Sequence, residues 1–225
     1  MTTEAKARAA GTTALVTCQG LARSYGKGAN ALVAVHSVTC ELRPGQQVAI
    51  TGPSGSGKTT LLHLLAGLDR PTAGRIAWPA LDDRPRGRVG VVFQGPSLLP
   101  PLNVAENVAL PLIIAGVEDA EATERALIAL ATIGLAGLAG SLPEELSGGQ
   151  AQRVAVARVL AAEPRLIIAD EPTAQLDSDL ARRVVDLLVG VASRLEAALV
   201  VATHDPQVAA RLPATWTMSD GALTC

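Results

Sequence analysis

Eight consecutive residues, Gly52-Pro53-Ser54-Gly55-Ser56-Gly57-Lys58-Thr59, are the plainest chemical signal in the chain. They satisfy the Walker A pattern, whose glycines let backbone N–H groups close around a phosphate at a helix N-terminus. Lys58 would contact the β- and γ-phosphates of a nucleotide. Thr59 would offer its hydroxyl to Mg2+, a hard cation that takes oxygen ligands, with Thr60 beside it in the nucleotide-binding set. A second constellation is Leu166-Ile167-Ile168-Ala169-Asp170-Glu171, an apolar strand ending in two carboxylates. Such a strand places charge at the carboxyl edge of a parallel sheet, beside the phosphates. Asp170 would hold Mg2+ through water and Glu171 would be the general base for the attacking water. A third is Ser147-Gly148-Gly149-Gln150, following Leu146. Ser147 would cap a helix whose first amides are left bare by the glycines, so that its positive end can face a γ-phosphate.

These residues need rigid elements to hold them. Short strands are expected at Ala14 to Cys18, Ala31 to Leu42 and Gln47 to Thr51, with Pro44-Gly45 as a turn. Leu61, Leu62, Leu64, Leu65 and Leu68 follow Lys58 at helical spacing, which completes a strand, glycine-rich loop and helix in the order a phosphate site requires. The middle, about residues 103–142, reads as helical: Asn103 and Glu106 stand at capping-box spacing, and a second run extends from Glu118 to Ile133. After it α/β alternation returns, with a helix Ser147 to Ala162, a buried strand Leu166 to Ala169, a helix Ser178 to Arg194 and a strand Ala198 to Ala202.

A chain of 225 residues that is 48% hydrophobic can bury a real core, which argues against disorder. Its net charge of −2 supplies no basic field for nucleic acid without a local patch, so nucleic acid is not the expected partner. Cys18, Cys40 and Cys225 lack the paired spacing of a zinc or redox motif and are expected as free thiols in a reducing compartment. Lys6 and Arg8 precede a stretch broken by Thr12, Thr13, Thr17 and Gln19, so no export signal is expected. Ala126 to Pro143 carries no charge and approaches the roughly 20 residues of a membrane span. Gly134, Gly137 and Gly140 interrupt it, and a helix ending near Gly134 followed by a buried turn explains it better.

From about Ala14 to Leu223 the sequence resembles the ABC ATPases, on the Walker A residues, on Leu146-Ser147-Gly148-Gly149-Gln150, which is that family's five-residue signature, and on the following Ala151 to Arg158. The resemblance implies an α/β fold: a P-loop NTPase core with a mixed, mainly parallel sheet and an antiparallel N-terminal subdomain. It also implies one ATPase domain over residues 1–225, with a helical subdomain at about 95–162 inserted between the Q-loop and the Walker B strand. Tyr25, the only tyrosine, matches the aromatic that stacks on adenine. Gln94 matches the Q-loop glutamine that reaches Mg2+ and the water, Asp177 the D-loop aspartate at a dimer interface, and His204 the switch histidine that holds the γ-phosphate. Asp177 could equally cap the helix that begins at Ser178.

The implied activity is ATP hydrolysis with ATP and Mg2+, by a homodimer or a dimer with a similar subunit. In this family the signature of one subunit covers the ATP of the other. The implied partner is a separate transmembrane permease, with the chain at the cytoplasmic face of the membrane. Within the family, Leu98 to Val108 resembles the subunits of lipoprotein-releasing, macrolide-exporting and cell-division systems, which points to export or mechanical transmission. An importer subunit would share every catalytic residue. The DNA-repair type would need a coiled-coil or zinc insertion between Gln94 and Leu146, and the translation type two cassettes in one chain; this sequence has neither. Two departures from the family pattern are the short Trp78 to Gly87 stretch and Gln175, which sits where a small residue is more usual.

Overall fold

The computed structural model describes residues 13–26, 31–83, 85, 87–174 and 176–225. Gln175 therefore lies outside the described residues. A six-stranded sheet forms the centre, in the order β5 (Val89–Val92), β6 (Leu166–Asp170), β7 (Ala198–Ala202), β3 (Gln47–Thr51), β8 (Ala214–Ser219) and β9 (Ala222–Thr224). All neighbours are parallel except β9, which runs antiparallel to β8. A separate antiparallel sheet pairs β2 (Leu32–Leu42), β1 (Val16–Tyr25) and β4 (Ala73–Ala77) in that order. The fold is thus α/β with a mixed, mainly parallel sheet and an antiparallel sheet beside it, as expected.

The central strands read as continuous apolar runs because both faces are covered. Ile167 and Ala169 of β6, Leu199 and Val201 of β7 and Ala49 of β3 enter one core. Their alternates Leu166 and Ile168, Val200 and Ala202, and Val48 and Ile50 enter the other, which also takes α1 (Lys58–Leu65) and the antiparallel sheet. The first core takes α2 (Val104–Ile114), α3 (Asp119–Thr132), α4 (Gly148–Ala162) and α5 (Ser178–Arg194). A short helix, α6 (Pro206–Ala209), follows β7.

Helix limits follow the capping residues. Asn103 accepts from the Glu106 amide at 2.9 Å while the Glu106 carboxylate accepts from the Asn103 amide at 2.8 Å, the capping box expected for α2. Pro111 stands inside α2 and cannot donate to the Asn107 carbonyl one turn back. That carbonyl instead accepts from Arg158 Nε of α4 at 3.2 Å, so the gap in the helix becomes a tie between two helices. Thr132 ends α3, and Gly134, with φ +72°, lets the Leu135 amide return to the Leu130 carbonyl at 2.8 Å. The uncharged Ala126 to Pro143 stretch is therefore a helix end and a turn, but the turn is not buried as expected: Leu135 anchors it while Gly134, Ala136, Gly137 and Gly140 are exposed. Among the described residues no helix is long and apolar enough to cross a membrane.

Some edges differ from the sequence reading. β1 starts two residues later than Ala14 and continues to Tyr25, because its antiparallel partner β2 supports it along its whole length. β4, β8 and β9 were not expected. β4 is exposed over most of its length and shows no apolar period, whereas β8 does alternate, with Trp216 and Met218 buried between exposed threonines. The start of the short 78–87 stretch packs against α1: Trp78 Nε1 donates to the Leu65 carbonyl at 2.9 Å, and Pro79–Leu81 form a 3-10 turn with Leu81 buried.

Candidate functional site

Four parallel strands end at one level. Ala202 is in register with both Ile50 and Asp170, and Val92 with Ala169. Since β5, β6, β7 and β3 are neighbours, the residues just past their carboxyl ends must meet. Those residues are Gln94 after β5, Asp170 and Glu171 at the end of β6, His204 after β7 and Gly52 after β3. A cleft of about 670 Å3 lies there. From the glycine-rich loop and α1 it is lined by Ser54, Gly55, Gly57, Lys58, Thr59 and Thr60, and from the other strand ends by Gln94, Glu171 and His204. Tyr25, Leu32 and Ala34 of the antiparallel sheet form its outer wall. Gly52, Pro53 and Ser56 complete the loop behind this lining.

The loop is shaped to present amides to an anion. Gly57, at the N-cap of α1, has φ +98°, and a Cβ there would stand 2.0 Å from the Ala34 carbonyl, so only glycine fits. No side chain caps α1. Lys58 is 7% exposed, and its ammonium donates to the Gly52 and Pro53 carbonyls at 2.8 and 2.9 Å. Among the described residues, two buried side-chain polar atoms lack a hydrogen-bond partner, and both belong to this region: Ser56 Oγ and Asp170 Oδ1. An orphaned buried carboxylate oxygen is costly by itself and fits a cation or cation-bound water.

Glu171 has φ +47° and is held by its own amide, which donates to the Ala202 carbonyl at 3.0 Å. A non-glycine residue in this left-handed region is uncommon and tends to occur where function demands it. Its Oε2 lies 2.6 Å from His204 Nδ1. His204, expected to hold a phosphate, makes its side-chain hydrogen bond to Glu171 through Nδ1 and is otherwise largely exposed. Tyr25 is fixed by residues the sequence reading did not single out. Its hydroxyl donates to Asp69 at 2.9 Å, and the Arg23 guanidinium lies 4.6 Å from its ring centroid. Although burial pushes the Asp69 carboxyl up, the Arg70 amide, the Tyr25 hydroxyl and Arg23 together hold it below the usual carboxylate range. One face of the ring is thus covered, and the outer wall of the cleft is stiffened.

Ser147, Gly148, Gly149, Gln150 and Asp177 do not line this cleft. Ser147 caps α4 as expected, accepting from the Gln150 amide at 3.3 Å while Gln150 accepts from the Ser147 amide at 2.8 Å. The two glycines differ. Gly148 is exposed, and nothing lies within 4 Å of a Cβ placed on it. Gly149 is buried, and its Cβ would meet Leu180 Cδ2 at 2.2 Å, so this glycine lets α4 and α5 approach rather than baring an amide. Asp177 caps α5, accepting from the Asp179 and Leu180 amides at 3.1 and 3.0 Å. Gln152 of α4 donates to the Phe93 carbonyl at 3.4 Å, beside Gln94, and ties the signature helix to that strand end.

Residues 35–174 match a family model described as ABC transporter. The chain is 38% identical over 219 residues to the lipoprotein-releasing system ATP-binding protein LolD of Legionella pneumophila (strain Paris), covering 93% of this chain and 96% of that protein. It is 40% identical over 220 residues to LolD of Chromohalobacter salexigens, covering 93% of each. Among solved structures it is similar to the ATP-binding cassette MJ0796 in a dimeric post-hydrolysis state bound to ADP and Pi, with a TM-score of 0.83, 35% identity, and coverage of 93% of this chain and 97% of that one. A second neighbour is cbiO1 from Clostridium perfringens, part of the ABC transporter complex cbiONQ, with a TM-score of 0.82, 29% identity, and coverage of 94% and 87%.

Proposed function

Because this chain belongs to the ABC transporter family of ATP-binding cassettes, we propose that it binds ATP in the cleft above the parallel strand ends and hydrolyses it there to drive lipoprotein release or a related export task. The chain is the ATP-binding, ATP-hydrolysing subunit of an ABC transporter, working as a dimer with a separate membrane permease. Its role in lipoprotein release is our reading. It is supported by the names of the relatives and by the likeness of Leu98 to Val108, and it ranks above an importer role on both counts. We place the chain at the cytoplasmic face of the membrane, and we take residues 95–162 as the helical subdomain within a single ATPase domain. Mutual packing of α2, α3 and α4 supports that boundary.

The observation that carries the catalytic reading is the gathering of Lys58, Thr59, Gln94, Glu171 and His204 around one cleft, with the two orphaned atoms Ser56 Oγ and Asp170 Oδ1 beside it. On ATP binding, Lys58 would exchange the Gly52 and Pro53 carbonyls for the β- and γ-phosphates, and the uncapped amides of α1 would meet the same oxygens. Tyr25 would stack its open face on adenine. Thr59, Asp170 and Gln94 would hold Mg2+, which neutralises charge on the phosphates when bound. Glu171 would take the proton of the attacking water as it adds to the γ-phosphorus, with cleavage of the bond to the β-phosphate oxygen. His204 would hold Glu171 in place through Nδ1 and leave Nε2 to the γ-phosphate. Ser147, Gly148, Gly149, Gln150 and Asp177, absent from the cleft of their own chain, would meet the nucleotide held by the second subunit.

Purifying the Glu171→Gln protein from its native membranes with Mg-ATP tests the assignment. A permease with a large extracytoplasmic domain, together with bound lipoprotein, is the expected companion. An importer-type permease would replace the export reading, and the absence of any membrane protein in either nucleotide state would remove the transport reading.

A further inference from the structure

The three cysteines of the sequence, separated along the chain, are brought together by the fold. Cys18 on β1 and Cys40 on β2 are directly opposed antiparallel partners. Directly opposed residues send their side chains to the same face of a sheet, with Cα atoms about 4.5–5.5 Å apart, inside the roughly 4.4–6.8 Å that a disulfide spans. Cys18 is buried in the core beneath the antiparallel sheet, and Cys40 packs at the edge of that core with part of its surface open to solvent. Cys225 follows β9, which packs on β2, and is exposed.

The two opposed thiols interact. The neighbouring Cys40 thiol raises the Cys18 pKa, and burial raises it further. Contact with Cys18 lowers Cys40, against the opposing effect of its own burial. Burial makes Cys18 the harder of the two to ionise, and the partly exposed Cys40 is the sulfur that an oxidant can reach first. Among the described residues no group of three or more His, Cys, Asp or Glu side chains is placed to hold a metal ion, so the geometry favours oxidation over a zinc site.

We propose that Cys18 and Cys40 form a reversible oxidation site that takes a peroxide as oxidant and closes as a cross-strand disulfide between β1 and β2. The Cys40 thiolate attacks one peroxide oxygen and the O–O bond breaks; the leaving hydroxide gains a proton and becomes water, and Cys40 becomes a sulfenic acid. The Cys18 sulfur then attacks the Cys40 sulfur, the S–O bond breaks, and the departing hydroxide takes up the Cys18 proton as a second water. Two thiols have lost two electrons and two protons, and one peroxide has become two waters. A thiol reductant reverses the bond, in keeping with the transient, sensing character of disulfides in reducing compartments. The closed loop contains Tyr25 and Ala34, so the bond fastens the strand pair that forms the outer wall of the nucleotide cleft.

The test treats the full-length native protein with hydrogen peroxide, caps remaining thiols with iodoacetamide and maps the peptides by mass spectrometry. The expected product is an intramolecular Cys18–Cys40 link that dithiothreitol removes, retained in Cys225→Ser and lost in Cys40→Ser, with a higher denaturant midpoint for the oxidised than for the reduced protein. A Cys40–Cys225 link, intermolecular dimers alone, or Cys40 carried to the sulfinic acid with Cys18 still reduced would each overturn the proposal. Should Cys40→Ser fail to fold, the maps of the natural and Cys225→Ser proteins decide the matter.

Discussion

Helices α1 and α4 both start on glycine-rich turns, yet only α4 satisfies its own first amides. Gly57 offers α1 no side-chain cap, the loop before it is threaded by a buried lysine, and Ser56 Oγ has no partner. Ser147 and Gln150 close a reciprocal cap on α4, and Asp177 caps α5 beside it by accepting from the Asp179 and Leu180 amides. The α1 end is therefore a cradle whose hydrogen-bonding demand is not met within the chain, as the proposed phosphate site requires. The α4 end is stable without a ligand and exposed, which suits a surface that meets a nucleotide held by another subunit. The same glycine-rich motif can thus serve binding or docking, and the capping residue and the close contacts of the glycines decide which.

Each end can be broken separately. Glu171→Gln should lower turnover by about 10²–10⁴-fold, the usual worth of a positioned general base, while ATP binding persists and the dimer accumulates. Phosphate release and size-exclusion chromatography with Mg-ATP measure both; turnover near the natural rate would remove Glu171 from the mechanism. Lys58→Ala should weaken ATP binding by about 30-fold or more, since truncating one partner of a buried charged contact costs about 2–5 kcal/mol. Calorimetric titration reads this directly, and unchanged affinity would refute the cradle.

Smaller effects separate the two signature glycines. Gly149→Ala should cost about 1–3 kcal/mol in denaturant unfolding, because the added methyl collides with Leu180, and Leu180→Ala should restore most of it. Gly148→Ala should be neutral or stabilise by up to about 1 kcal/mol, because its site is open and alanine favours helix. It should nonetheless weaken ATP-driven dimerisation, measured by sedimentation. Equal unfolding costs at the two positions would erase the distinction drawn between them. Ser147→Ala should cost about 1 kcal/mol, the worth of an N-cap, without changing ATP affinity of the isolated chain.

Much of the site was legible because its signals are local. The spacing from Gly52 to Thr59, the apolar run before Asp170 and Glu171, and the Ser147–Gln150 and Asn103–Glu106 pairs are each set within a few residues. The strands β4, β8 and β9 were harder to read: β4 and β9 are short and largely exposed edge elements, and β4 pairs with β1, far away in sequence, whereas β9 is a three-residue strand returning on its neighbour β8.

What the sequence by itself determined was the set of chemical groups and their immediate backbone setting: which loop presents amides, which strand ends in carboxylates, and which helices cap themselves. Only the tertiary structure decided their company. The shared register of β5, β6, β7 and β3 is what sets Gln94, Glu171, His204 and the Lys58 loop around one cleft, with the buried Asp170 next to Glu171 at the end of β6. Packing of α4 on α5 gave Gly149 a steric task that no local pattern reveals, and the pairing of β1 with β2 brought Cys18 against Cys40. The physical reason is range. Capping and turn chemistry act through neighbours along the chain, whereas strand register and side-chain collision are settled by residues that meet only after the core has closed.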